Sequence, residues 1–231
     1  MKKASGSRKP NSQPSTTKRG TAKIRVVIAG VGNVGRRLLE LLERKRLLLR
    51  ERYELEFVLV GISDSGGARM AARGFDLREL IDTKMRGEKV GSHNLGSLEV
   101  LQTAQADLFV DLTPTNLKTG EPGLSLIRQA LKERMNVVTA NKGPLVLAYS
   151  ELMSLARKHN AKFHHSATVT GGLPTLNIGV RDLAPSEITG FEGIVNATTN
   201  YILTRMSEGD SFEAALKHAQ DVGHAEADPS L

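Results

Sequence analysis

Short β-branched apolar runs alternate along this chain with longer stretches of helical period, and that alternation predicts the architecture. "IRVVIA" (24–29) is a compact apolar run of the kind a parallel strand buried on both faces presents. A glycine-rich turn follows at once, and "NVGRRLLELLERKRLL" then carries Leu38, Leu41, Leu42 and Leu49 at spacings that share one helical face. "LEFVLVGIS" (55–63), "ADLFVDLT" (106–113) and "MNVVTA" (135–140) predict three more strands, with an amphipathic helix, "GLSLIRQALKER", between the last two. "ELMSLARKH" predicts another helix and "AKFHHSA" a short strand after it. Strands separated by helices predict an α/β fold with a parallel sheet covered by helices on both faces.

From "TVTGGLPTLNIG" through "GFEGIVNATTNYILTRM" the texture changes, and Gly, Thr and Asn mix with apolar residues. The pattern predicts three parts: a basic tail at 1–23, a first domain at 24–160, and a second domain at 161–231. "SFEAALKHAQDVG" predicts a last helix that has ended by Gly223, leaving the closing "AEADPSL" in a loop, because Asp228 precedes Pro229.

Composition changes this picture little. An apolar fraction of 39% over 231 residues suffices for a packed core. No window is apolar for long enough to span a membrane, and no apolar signal core follows Met1, so a cytoplasmic protein is expected. The absence of cysteine excludes disulfides, thiolate nucleophiles and cysteine-bound metals. The net charge of +7 sits in the tail: residues 1–23 hold seven of the 32 Lys and Arg and no acid, which leaves 25 basic against 25 acidic residues in the body. The tail has no aromatic interleaving, so it predicts a disordered, solvated arm rather than a nucleic-acid binder.

The chemistry begins at "GVGNVG", Gly30 to Gly35, directly after one strand and opening a helix. Gly30 permits the tight turn, Gly32 lets main chain approach a pyrophosphate, and Gly35 lets helix and strand pack closely. With Val31, Asn33 and Val34 between them, these residues form the fingerprint of a Rossmann-type nucleotide-binding domain that takes NAD or NADP on the helix N-terminus. Asp64 ends the second strand 29 residues beyond Gly35, later than the usual ~20. It is placed to hold a ribose 2′-hydroxyl, as for NAD, whereas Arg69 nearby is placed to accept the 2′-phosphate of NADP; the choice stays open. "DLTPTN" (111–116) and "TANKGP" (139–144) end two adjacent strands, where ligands of open α/β sheets bind. Lys142, after Asn141 and before Gly-Pro, is placed to polarise a carbonyl oxygen near the nicotinamide. His164 and His165 alternate across a strand and cannot both face one metal.

Taken together and in this order, "GVGNVG", "DLTPTN", "VVTANKGPL", "ATVTGGLP", "GIVNATTNYILTRM" and "AQDVGHAEADP" resemble homoserine dehydrogenase over residues 24–231. The resemblance implies NAD(P)-dependent interconversion of L-aspartate 4-semialdehyde and L-homoserine, in the biosynthesis of threonine, methionine and isoleucine. It implies a Rossmann-type domain followed by an α+β substrate and dimerisation domain, and hence a homodimer at full length. Residues Val31 to Val34 would face the pyrophosphate, Thr113 the nicotinamide, and Lys142 would bridge cofactor and substrate. Glu226 would grip the amino group of homoserine, with Thr198 also on the substrate side. Main-chain carbonyls around Val169, Gly171 and Leu173 match a turn that binds sodium in the family, although Ser166 stands where some members have a glutamate. Ala197 replaces a glycine, and His224 replaces a ring that packs and is itself expected to pack. The family's Asp-x-x-Gly-x-Asp-Ala-x-x-Lys segment, with its second substrate carboxylate and its relay lysine, does not follow, so the second domain looks incomplete. A chain ending here is expected to bind cofactor with little or no turnover. The competing expectations are a non-catalytic dinucleotide-binding remnant or regulatory module, and a dehydrogenase of another amino acid.

Overall fold

A computed structural model describes residues 20–92 and 94–225. Among them, six strands form one sheet in the order β3-β2-β1-β4-β5-β6. These are β1 (Ala22–Ala29), β2 (Leu55–Asp64), β3 (Gly67–Met70), β4 (Leu108–Asp111), β5 (Asn136–Thr139) and β6 (Phe163–His164). Only β3 runs antiparallel, hairpinned onto β2 at one edge. The pairs β1–β2, β1–β4, β4–β5 and β5–β6 are all parallel.

Alternation along the central strands divides the core into two layers, as period-2 geometry requires. On one face Val27, Ala29, Val60, Phe109 and Val137 pack under α3 (Ser97–Thr103), α4 (Gly123–Lys132) and α5 (Lys142–Lys158). On the other, Val26, Ile28, Leu59, Ile62 and Val110 pack under α1 (Asn33–Tyr53) and α2 (Leu77–Met85). Each large side chain buried this way stabilises the fold by roughly 1.5–3 kcal/mol. The expected parallel sheet covered on both faces is present. On α1 the fully buried leucine is Leu39; Leu38, Leu42 and Leu49 are half-buried, and Leu41, predicted to share their face, is exposed.

Strand order reverses at β1, whose neighbours are β2 and β4, and this opens a crevice beyond the carboxyl ends of the strands. After β6 the chain makes a 3-10 turn (Ser166–Thr168), a short α6 (Thr175–Asn177) and a π-type turn (Ile178–Asp182). Two further helices, α7 (Ala197–Ser207) and α8 (Phe212–Asp221), pair around Ile202, Ala215 and Ala219. The last predicted helix ends as expected: Gly223 takes a left-handed φ of 77° two residues past α8.

Candidate active site

Gly30 closes β1 with a φ of 92°, and a Cβ there would lie 2.2 Å from the Leu112 carbonyl oxygen. The turn can therefore press against β4's exit only because the residue is glycine. A Cβ on Gly35 would meet the Gly30 carbonyl oxygen at 2.2 Å, so the first turn of α1 is drawn down onto the glycine turn. Gly32 caps α1 without a side chain, and no acidic residue occupies the first turn. The helix thus presents main-chain N–H groups and its positive end to the crevice.

That crevice is a cleft of about 490 Å³. The glycine turn forms one wall, Leu112, Thr113, Pro114 and Thr115 another, and Ala140 with Lys142 a third. Gly30, Val31, Gly32, Asn33, Val34, Asp64, Thr113 and Lys142, singled out from sequence, all line this one space, while Gly35 and Asn141 stand behind it. A larger hollow of about 740 Å³, lined by Arg25, Arg46 and Arg73 among others, lies away from the glycine turn and shares no residue with the cleft.

Lys142 is the first residue of α5, and Asn141 caps that helix by accepting the Gly143 N–H at 3.0 Å. The exposed Lys142 side chain projects from a tightly held backbone: Asn141 is 1% exposed and donates to the Thr113 hydroxyl at 3.0 Å and to the Pro114 carbonyl at 3.3 Å. The predicted helix at 151–159 begins nine residues earlier, at Lys142, with a kink at Ala148.

Asp64 is differently placed from a free ribose acceptor. Its Oδ1 accepts the N–H groups of Gly66 (2.8 Å) and Gly91 (3.2 Å), and its Oδ2 accepts the Val90 N–H (2.9 Å) and the Lys84 ammonium (3.2 Å). Burial alone would raise its pKa, but the Val90, Gly66 and Gly91 hydrogen bonds and Lys84 outweigh it, and the carboxyl lies below the ordinary aspartate value. Arg69 does not line the cleft; it stacks over Phe75, 5.2 Å from the ring centroid. The cations that do face the cleft at this end are Lys84 and Lys89, the latter donating to the Ser65 hydroxyl. Neither lysine is singled out from the sequence, although Asp76 before Leu77, Leu80 and Ile81 carries the cap and spacing of the helix that holds Lys84.

Outside the cleft, the Thr198 hydroxyl donates to the His224 carbonyl and ties the start of α7 to the segment before Glu226. Glu226 and Asp228 themselves lie outside the described residues. The His224 ring packs at 4.9 Å from Tyr201, as a residue substituting for an aromatic ring should. The Thr170 hydroxyl donates to the Val169 carbonyl at 2.7 Å and lies 3.4 Å from that of Leu173. Ser166 donates to Asn177. His165 turns its ring toward Tyr149 and Phe163, and no cluster of three or more metal-ligating side chains exists among the described residues.

A family model described as homoserine dehydrogenase, NAD binding domain, matches residues 30–166, and a second, homoserine dehydrogenase, matches 174–231. The chain belongs to the homoserine dehydrogenase family. It is 42% identical to homoserine dehydrogenase of Methanocaldococcus jannaschii over 211 residues, covering 89% of this chain and 62% of that protein. It is 35% identical to an NAD(+)-dependent homoserine dehydrogenase of Pseudomonas canavaninivorans, covering 89% of this chain and 60% of that one. Among solved structures, a hyperthermophilic archaeal homoserine dehydrogenase in complex with NADPH superposes with a TM-score of 0.78 at 30% identity, covering 90% of this chain and 64% of the other. The chain thus spans about 60% of the length of the homoserine dehydrogenases it matches. The cleft falls within the NAD-binding match, whereas Thr198 and His224 fall within the second.

Proposed function

We propose that this chain binds NADP in the cleft at the sheet's crossover and serves the interconversion of L-homoserine and L-aspartate 4-semialdehyde. One observation carries the reading: an open helix N-terminus, Thr113 and the Lys142 ammonium, which has no partner among the described residues, share a single cleft. The glycine turn and the first N–H groups of α1 hold the pyrophosphate. Thr113 and Pro114 bound the nicotinamide side. When bound, the nicotinamide supplies or accepts the hydride. Lys142 donates a hydrogen bond to the substrate oxygen and stabilises the charge that develops on it. Glu226 anchors the substrate ammonium by a charge-assisted bond, with Thr198 bracing the loop that carries it. The reading supports a nucleotide-binding domain ending near residue 160, a substrate and dimerisation domain beyond it, a homodimer and a cytoplasmic location. A sodium ion on the main-chain carbonyls of Val169, Gly171 and Leu173 belongs to the same reading, and no step depends on it.

NADP rather than NAD is favoured by the state of Asp64. A carboxylate whose two oxygens already take four donors is poorly placed to accept two ribose hydroxyls, while Lys84, Lys89 and Ser65 offer cations and a hydroxyl to a 2′-phosphate. Fluorescence titration with NADPH and NADH, followed by a homoserine-oxidation assay, tests both parts. NADPH should bind the tighter, and Lys89→Ala should weaken it about tenfold while leaving NADH within about twofold, as expected for one charged contact to phosphate. Absence of saturable binding by either dinucleotide sinks the reading. Binding with turnover of aspartate or malate in place of homoserine redirects it to another substrate.

A further inference from the structure

Asp111 ends β4 with 0% exposure and has no part in the scheme above. Its Oδ1 accepts the Thr113 backbone N–H at 3.1 Å and the Thr113 hydroxyl at 2.6 Å, and its Oδ2 accepts the Thr139 hydroxyl at 2.9 Å. Asn141 completes the ring: its backbone N–H donates to the Thr139 hydroxyl at 3.0 Å and its Nδ2 to the Thr113 hydroxyl at 3.0 Å. The directions follow from the donors available. Thr113 has one hydroxyl proton, which goes to Asp111, so it must meet the Asn141 amide with a lone pair. That sets the Asn141 side chain with its oxygen toward the Gly143 N–H, capping α5 at the residue next to Lys142.

Asp111 is a fully buried carboxylate. Burying one is costly, and burial holds the Asp111 carboxyl above the ordinary aspartate range even though Thr113, Thr139 and Asn141 pull the other way. The helix on this face leaves no slack: a Cβ on Gly123, the first residue of α4, would stand 2.5 Å from Asn141 Nδ2, 2.9 Å from Asp111 Oδ2 and 3.1 Å from Thr113 Oγ1. The cost falls where the exits of β4 and β5 become the wall of the cleft, through Thr113, Pro114 and Lys142.

We propose that Asp111 is a positioning residue for the nicotinamide half of the cofactor. Acting through Thr113 and Asn141, it fixes the orientation of the Thr113–Pro114 wall and the point from which Lys142 projects. This rests on the dinucleotide reading above. Its consequence is selective, because among the described residues the adenosine and pyrophosphate side of the cleft, formed by the glycine turn, Ser65 and Lys89, makes no hydrogen bond to the Asp111 ring and meets it only where Gly30 packs against the Thr113 main chain.

The test is calorimetric titration of the unaltered chain, Asp111→Asn and Thr139→Val with NADPH and with 2′-phospho-ADP-ribose, which lacks the nicotinamide ring. NADH and ADP-ribose are run in parallel. Asp111→Asn reverses one hydrogen bond of the ring, and Thr139→Val deletes two at nearly constant shape, the one donated to Asp111 and the one accepted from the Asn141 N–H. The Kd for the reduced dinucleotide should rise about tenfold in each variant, the scale of one buried hydrogen bond left unmet. The ring-less ligands should stay within about twofold of the unaltered chain. Should Asp111→Asn fail to fold, Thr139→Val decides alone. Equal losses for both ligand types, or no loss for the dinucleotide, overturn the inference while dinucleotide binding stands. An unaltered chain that binds none of the four overturns the reading beneath it.

Discussion

Four donors converge on the Asp64 carboxylate, and they tie the end of β2 to the 66–91 stretch that faces the cleft. Because its folded pKa lies below the ordinary 3.8, Asp64 contributes stability that is fully present above that value and is lost as pH falls through the lower folded value. Asp64→Asn should therefore lower the melting temperature at pH 7 by about 4–8 °C, the equivalent of about 2 kcal/mol in a chain of this size. In thermal melts the gap from the unaltered chain should close as pH drops below about 4. A gap that stays constant with pH would show that Asp64 acts by packing alone. Asp111 has the opposite sign: its pKa is raised, so acid relieves its burial cost. Asp64 was legible from its position after a strand, but its partners were not. Gly66 apart, those partners are Lys84, Val90 and Gly91, which follow it by twenty or more residues, and only folding brings them back.

At the scale of elements, the strand–turn–helix at Gly30 to Gly35 fixes how closely α1 approaches the sheet. A methyl group at Gly35 would have to displace main chain, since the Gly30 carbonyl oxygen would stand 2.2 Å from it. Gly35→Ala should abolish saturable dinucleotide binding at millimolar ligand and cost about 2 kcal/mol or more in urea unfolding, because no rotamer relieves a backbone clash. Undiminished affinity in that variant would mean the turn does not hold the cofactor. The strands read from sequence are β1, β2 and β4, whose apolar runs end in consecutive buried residues, and β5 and β6, which bury only alternate ones. β3 escaped notice because an edge strand of four residues needs no such run, and α2 and α3 because each is short. The early start of α5 also escaped: "NKGP" reads as a loop until Asn141 is seen capping the helix and Pro144 occupying its first turn.

At the scale of the whole molecule, apolar side chains accumulate in solvent after β6. Leu173, Val180, Phe191 and Ile194 are all exposed, the last two at 70% and 73%, within a stretch, 164–201, in which no residue is buried. Exposure on this scale marks surface that associates. Sedimentation should find the chain self-associated at micromolar concentration, and the double variant Phe191→Ser, Ile194→Ser should shift it toward monomer with dinucleotide affinity within about twofold, since neither residue lines the cleft. An unaltered chain that sediments as a monomer would refute this. The sequence by itself determined the α/β order, the glycine turn, the position of Lys142 and the family, because each is written in local period or in a contiguous motif. Tertiary structure alone decided that Asp64 is saturated, that Lys84 and Lys89 rather than Arg69 face the cleft, and that Asp111, Thr113, Thr139 and Asn141 close a ring. Hydrogen bonds between the exits of neighbouring strands join residues as far as 28 positions apart, and no local pattern records which of them will meet.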